Sequence, residues 1–123
     1  MNENRLADYL GHRLEAARLA SSYVEGMDKK KFLGDKRTQQ AVILNIVVIG
    51  EAATKLAREY PEFIARNPDV PWRNIKGMRN RITHGYFDID LDVVWDTLQI
   101  ALPQLVRQLS DIQRGLPHDG DRP

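Results

Sequence analysis

The chain has 123 residues and a formal net charge of +1 from 18 lysines and arginines against 17 carboxylates, with no cysteine. That length suits one compact domain, and so even a charge balance requires any nucleic-acid contact to come from a local basic cluster. Without thiols there is no disulfide framework, thiolate zinc site or thiol nucleophile, and with no apolar run read as long enough for a membrane span and no signal-peptide layout at the start, a cytoplasmic protein with no membrane partner is expected.

From Arg5 to about Met27, Leu6, Leu10, Leu14, Ala17 and Val24 recur at steps of three, four and seven residues. This predicts a long amphipathic helix with Arg13, Glu15 and Arg18 on its other faces. The break "EGMDKKKFLGD" reads as a linker in which Lys29, Lys30 and Lys31 are solvated, a phosphate-contacting patch being the alternative. A second helix is expected from about Asp35 to Glu59. Its middle, "AVILNIVVIGEAATKLA", is apolar nearly all round, which predicts a central helix buried by more than one neighbour. The β-branched run from Val42 to Ile49 could form a buried strand, but the helix-forming flanks and the length decide for helix. Gly50 costs this helix roughly 1 kcal/mol against alanine. The expected compensation is close approach of another backbone, within the fold or across a dimer.

"YPEFIARNPDVPW" predicts an irregular connection with one helical turn after Pro61. Pro71 is placed to open a third, short helix near N1, running from about Trp72 to Thr83 and stopped by Gly85 at C′. The last helix should begin with Asp88 or Asp90 as N-cap. It carries Leu91, Val94, Trp95, Leu98, Leu102, Leu105 and Leu109 on one side, with a kink near Pro103. Past Arg114, "GLPHDGDRP" reads as a frayed tail. The layout is all-α: an up-down bundle of four main helices, with one helical domain over 1–115 and a tail over 116–123.

Walker loops, H-E-x-x-H, EF-hand and G-x-S-x-G motifs are absent. The three histidines have no ligand spacing, so no metal and no cofactor is expected: His12 falls on the polar side of the first helix and His118 in the tail. His84 remains, in "GMRNRITHGY". Its ordinary explanation is a cation in the last turn of a helix, with Tyr86 packing back after the stop. The spacing adds more. Asn80 and His84 stand at i and i+4, so the amide can fix the imidazole tautomer. Arg79 and His84 lie about 140° apart on an ideal helix and converge only if the helix end distorts or a second copy supplies one of them. A fixed cation that holds a phosphate and a group that titrates near neutrality are the parts for metal-free RNA cleavage by the neighbouring 2′-hydroxyl. Glu51, beside an apolar stretch, is expected either to pair with Arg79 or Arg81 or simply to face solvent.

"RNRITHGY" fits R-x4-H-x-Y, and the chain resembles the HepT-like toxins of the HEPN superfamily of all-helical ribonucleases over roughly Arg5 to Ile112. "IGEAATKL", "PWRNIKGMRN" and "VVWDTLQIALPQL" resemble the family's flanking blocks, in the family's order. The resemblance implies a metal-independent endoribonuclease acting on RNA, a homodimer or higher even oligomer with the motifs in a cleft at the dimer axis, and a minimal nucleotidyltransferase antitoxin that transfers AMP to the motif tyrosine. Carried over, Arg79 and His84 are the catalytic pair, Asn80 the supporting polar residue and Tyr86 the AMPylated one. The alternative is a non-catalytic interaction subunit that helps a nucleotidyltransferase bind its substrate.

Overall fold

Each long helix is set by where its apolar side chains fall and by what caps it. The computed structural model describes residues 3–85 and 88–115; Tyr86, Phe87 and the tail from 116 onward, including His118, lie outside the described residues. In chain order the helices are α1 (Glu3–Tyr23), α2 (Lys29–Leu33), α3 (Lys36–Glu59), α4 (Pro61–Arg66), α5 (Trp72–His84), α6 (Leu91–Asp96) and α7 (Leu102–Arg114), with a π-helical turn at Thr97–Ala101 joining the last two. Among the described residues there is no strand, and the fold is an all-α bundle.

The middle helix forms as expected. Asp35 is its N-cap: the carboxylate accepts from the Thr38 hydroxyl and backbone N–H, and these hydrogen bonds, side chain first, hold the Asp35 pKa below its usual value. Val42, Ile43, Ile46, Ile49, Ala53 and Leu56 of α3 are buried, packing on α1 on one side and α5 on the other. Helix α1 closes on α7, so Leu10, Leu14 and Ala17 meet Leu105 and Leu109 in one core. One expectation about α3 needs correction. It contains an 18-residue window of mean hydropathy 1.4, long and apolar enough to cross a membrane by length and composition, although 44% of that window is buried inside the bundle. More than one neighbour buries it, as expected, while Leu44, 63% exposed, and Val48, 38% exposed, stay uncovered.

Phe32 overturns the linker reading of "EGMDKKKFLGD". Asp28 caps a short helix by accepting from the Lys31 N–H, and α2 drives Phe32 to full burial against Trp95, with ring centroids 5.4 Å apart. The lysines stay exposed, as a solvated stretch requires; Lys29 Nζ meets Asp92 at 3.0 Å, a hydrogen bond that raises the lysine pKa. One apolar side chain, not the three charges before it, decides this segment.

Arg13 is the larger surprise. Placed by its charge on a polar face, it is instead fully buried, and its Nε, Nη1 and Nη2 have no protein hydrogen-bond partner among the described residues. Its guanidinium carbon stands 4.5 Å from the centre of the Trp72 ring, and burial pushes its pKa down to about 9. The charge therefore persists at neutral pH, held against an aromatic face at the start of α5.

The helix ends fall close to where they were expected. Pro71 is the N-cap of α5, one position before N1, and Gly85 ends it at φ −150°, outside the left-handed region. Asp90, not Asp88, caps the last helix by accepting from the N–H groups of Asp92 and Val93. Near Pro103 the chain widens into the π turn, in which the Leu102 N–H bonds to the Thr97 carbonyl. Proline lacks an N–H and its ring crowds the carbonyl four residues back, Gln99, so the wider turn relieves that clash just ahead of it.

Candidate active site

The site begins with a glycine. A Cβ on Gly50 would stand 2.7 Å from the Cγ of Arg79 and closer still to its Cβ, with the Arg79 Cα at 3.5 Å. The close approach expected of Gly50 therefore occurs within the fold: α5 presses the stem of Arg79 into the notch that glycine leaves on α3.

Held there, the Arg79 guanidinium is gripped from three directions. Its Nε lies 3.3 Å from Glu51 Oε1, the first of the two outcomes expected of Glu51. That approach is close enough for an ion pair but off the angle of a hydrogen bond, which is why Nε also counts among the buried atoms without a hydrogen-bond partner. Nη1 donates to Asn80 Oδ1 at 2.7 Å and Nη2 to Thr54 Oγ1 at 3.4 Å. Thr54 in turn donates to the Gly50 carbonyl at 3.0 Å. Arginine has five N–H donors, so these contacts leave one on each Nη for a ligand. The side chain of Arg79 is 19% exposed and that of Glu51 52%, so the pair opens to solvent. Thr54 was missed in the sequence. Its signal was its place one turn after Gly50, where a hydroxyl can reach both the helix carbonyl and an arginine lying over the glycine.

His84 is not part of this cluster. It is the exposed last residue of α5 and lines a concavity of about 390 Å³ between the end of α5 and the start of α6, with Met78, Arg81, Ile82, Asp88 and Val94 among the walls. The hydrogen bond expected between Asn80 and His84 is absent among the described residues, and the Asn80 oxygen accepts from Arg79 instead. The structure thus brings Arg79, Asn80 and Glu51 together and leaves His84 around the helix from them, in line with their offset on an ideal helix. Tyr86 lies outside the described residues. Among the described residues no three His, Asp or Glu side chains cluster as metal ligands would.

Residues 13–112, which include the whole Arg79 cluster and His84, match the family model for ribonuclease HepT-like proteins. The chain belongs to the ribonuclease HepT-like family. It is 32% identical over 107 residues to the protein named "Probable ribonuclease HepT" of Thermococcus cleftensis, covering 87% of this chain and 94% of that one. A relative carrying an RNase name in Caldanaerobacter subterraneus subsp. tengcongensis is 31% identical over 104 residues, or 85% of this chain and 90% of its own. Another in Methanocaldococcus jannaschii is 34% identical over 90 residues, 73% of this chain and 72% of its own. No solved structure matches. For a HepT-like ribonuclease, the R-x4-H spacing now has two physical halves: an arginine fixed in a notch, and a histidine exposed at a helix end.

Proposed function

We propose that this HepT-like ribonuclease is a metal-independent endoribonuclease in which Arg79 holds the scissile phosphate and His84 moves the proton. The observation that carries the reading is the grip on Arg79: a cation fixed by Glu51, Asn80 and Thr54, with donors to spare and partial exposure, is pre-organised for an anion. A neutral His84 takes the proton of the ribose 2′-hydroxyl as that oxygen attacks the adjacent phosphorus. The bond to the 5′-oxygen breaks, and an imidazolium supplies the proton that this oxygen needs. The products are a 2′,3′-cyclic phosphate and a 5′-hydroxyl. Asn80 and Glu51 are positioning residues that act through Arg79.

Because His84 stands about 140° around α5 from Arg79, the reading places two copies at the reaction, each giving part of the site. Exposed Leu44 and Val48 support a homodimer or a higher even oligomer, since they share one stripe of α3 with Glu51 and so continue the Arg79 cluster as an apolar surface. The second histidine is then the acid. The family resemblance further supports a toxin role, with a minimal nucleotidyltransferase antitoxin that transfers AMP from ATP to Tyr86. A phosphodiester two residues from His84 would compete with RNA for Arg79. The test is incubation of RNA in EDTA with wild type, Arg79→Ala and His84→Ala, with the new ends mapped. Cleavage by wild type alone, leaving cyclic phosphate ends, is expected; equal products from the His84→Ala protein would overturn the assignment.

A further inference from the structure

Helix α5 concentrates the positive charge of the whole chain. It holds Arg73, Lys76, Arg79 and Arg81 and no carboxylate, so the other 14 lysines and arginines are outnumbered by the 17 carboxylates elsewhere. Arg79 is turned to α3, but Arg73, Lys76 and Arg81 are exposed, and among the described residues none of the three has a carboxylate partner.

Arg73, Gly77, Arg81 and His84 follow one another at steps of four, four and three, which puts them on a single face of the helix. Among the described residues Gly77 on that face has no packing reason. A Cβ there would meet nothing within 4 Å, whereas at Gly50 it would collide with Arg79. Glycine inside a helix weakens it, and the usual compensation is close approach of something to the backbone. No described part of this protomer makes that approach.

We propose that this face of α5 is a track for the sugar-phosphate backbone of single-stranded RNA. It runs about 16 Å from His84 to Arg73, the rise of an α-helix over that span. Arg73 on the face and Lys76 beside it, about 60° around the helix from Arg73, take phosphates away from the scissile one, and Gly77 is the bare floor over which the chain passes. This deepens the reading of His84 as the residue at the reacting phosphate and rests on it. A second copy of α5 packed on Gly77 is the competing occupant, but two such faces would set cation against cation, which opposes direct contact. A polyanion between them is attracted to both.

The test measures binding, by fluorescence anisotropy across a salt series, of a single-stranded RNA whose 2′-O-methyl riboses cannot be cut. Gly77→Ala should keep its oligomeric state, melt no lower than wild type and bind about tenfold or more weakly. Arg73→Gln with Lys76→Gln should lower the slope of log Kd against log salt by about 1.4, the value for two single-strand phosphates lost. Unchanged affinity and slope in these folded variants would overturn the track. So would a Gly77→Ala protein that falls to monomer while binding RNA as tightly as wild type, since the floor would then belong to a second copy. Wild type that shows this binding behaviour but cuts no RNA would sink the catalytic reading and leave the track standing.

Discussion

Gly50→Ala tests whether the fold builds the site. The added Cβ would begin 2.7 Å from Arg79 Cγ, with the Arg79 Cα at 3.5 Å, whereas carbon atoms rest at about 3.5–4.0 Å. Gly50 lies inside α3 and Arg79 inside α5, and the nearest atom, the Arg79 Cβ, moves only with the backbone, so the collision is relieved only if the helices part by about 1–2 Å. Overpacking of this kind costs about 1–3 kcal/mol, and the better helix propensity of alanine returns roughly 1, for a net loss of up to about 2 kcal/mol. The protein should therefore still fold, with a melting temperature lower by several degrees. Activity should suffer far more, since a misplacement of about 1 Å at a reacting group can cost on the order of 100-fold. Urea melts and kcat/KM on one RNA substrate give the two numbers. Gly77→Ala is the internal contrast: with nothing to meet, it should gain about 0.5–1 kcal/mol. A Gly50→Ala protein with wild-type kcat/KM would show that the notch does not position Arg79 for the reaction.

Arg13→Met should stabilise the fold: a pKa lowered by burial to about 9 corresponds to about 5 kcal/mol of penalty on the buried cation, of which stacking on Trp72 returns about 2. Below about pH 9 both folded and unfolded Arg13 keep the proton, so the full penalty is present there and is relieved as pH rises further. The advantage of Arg13→Met in urea should thus be largest near pH 7 and narrow above pH 9; a destabilised variant at pH 7 would contradict this. Glu51→Gln, at a half-exposed pair, should change stability by less than about 1 kcal/mol yet lower kcat several-fold by loosening Arg79, and an unchanged kcat would remove Glu51 from the site. Tyr86→Phe should fold normally, keep cutting RNA and escape silencing by the nucleotidyltransferase and ATP; AMP found by mass spectrometry on another residue, with silencing intact, would contradict it.

Where apolar spacing and capping agreed, the sequence was readable. Asp35 and the run from Val42 to Leu56 give α3 its start and its buried faces, and the leucines from Leu98 to Leu109 give the last helix. Gly50 announced a close approach because a glycine there is otherwise a loss. Phe32 was hidden behind three lysines, since composition averages over a segment while burial is decided by one side chain. Arg13 was hidden by its own charge. Nothing in an amphipathic pattern distinguishes a solvated arginine from one that rests on a tryptophan 59 positions away in the chain. At the site, a helical wheel could separate Arg79 from His84 by angle. It could not show that Asn80 would turn to Arg79 instead of His84, because that depends on how Gly50 and Thr54 set the arginine.

The most direct measurement is mapping of the ends produced from one defined RNA in excess EDTA by wild type, Arg79→Ala and His84→Ala. In the proposed mechanism Arg79 and His84 do the chemistry without a metal. Wild type should leave 2′,3′-cyclic phosphate and 5′-hydroxyl ends, an all-deoxy strand of the same sequence should survive, and each variant should lose on the order of 100-fold or more in rate. Complete loss of wild-type cleavage in EDTA, restored by a divalent ion, or undiminished cleavage by the His84→Ala protein would contradict it.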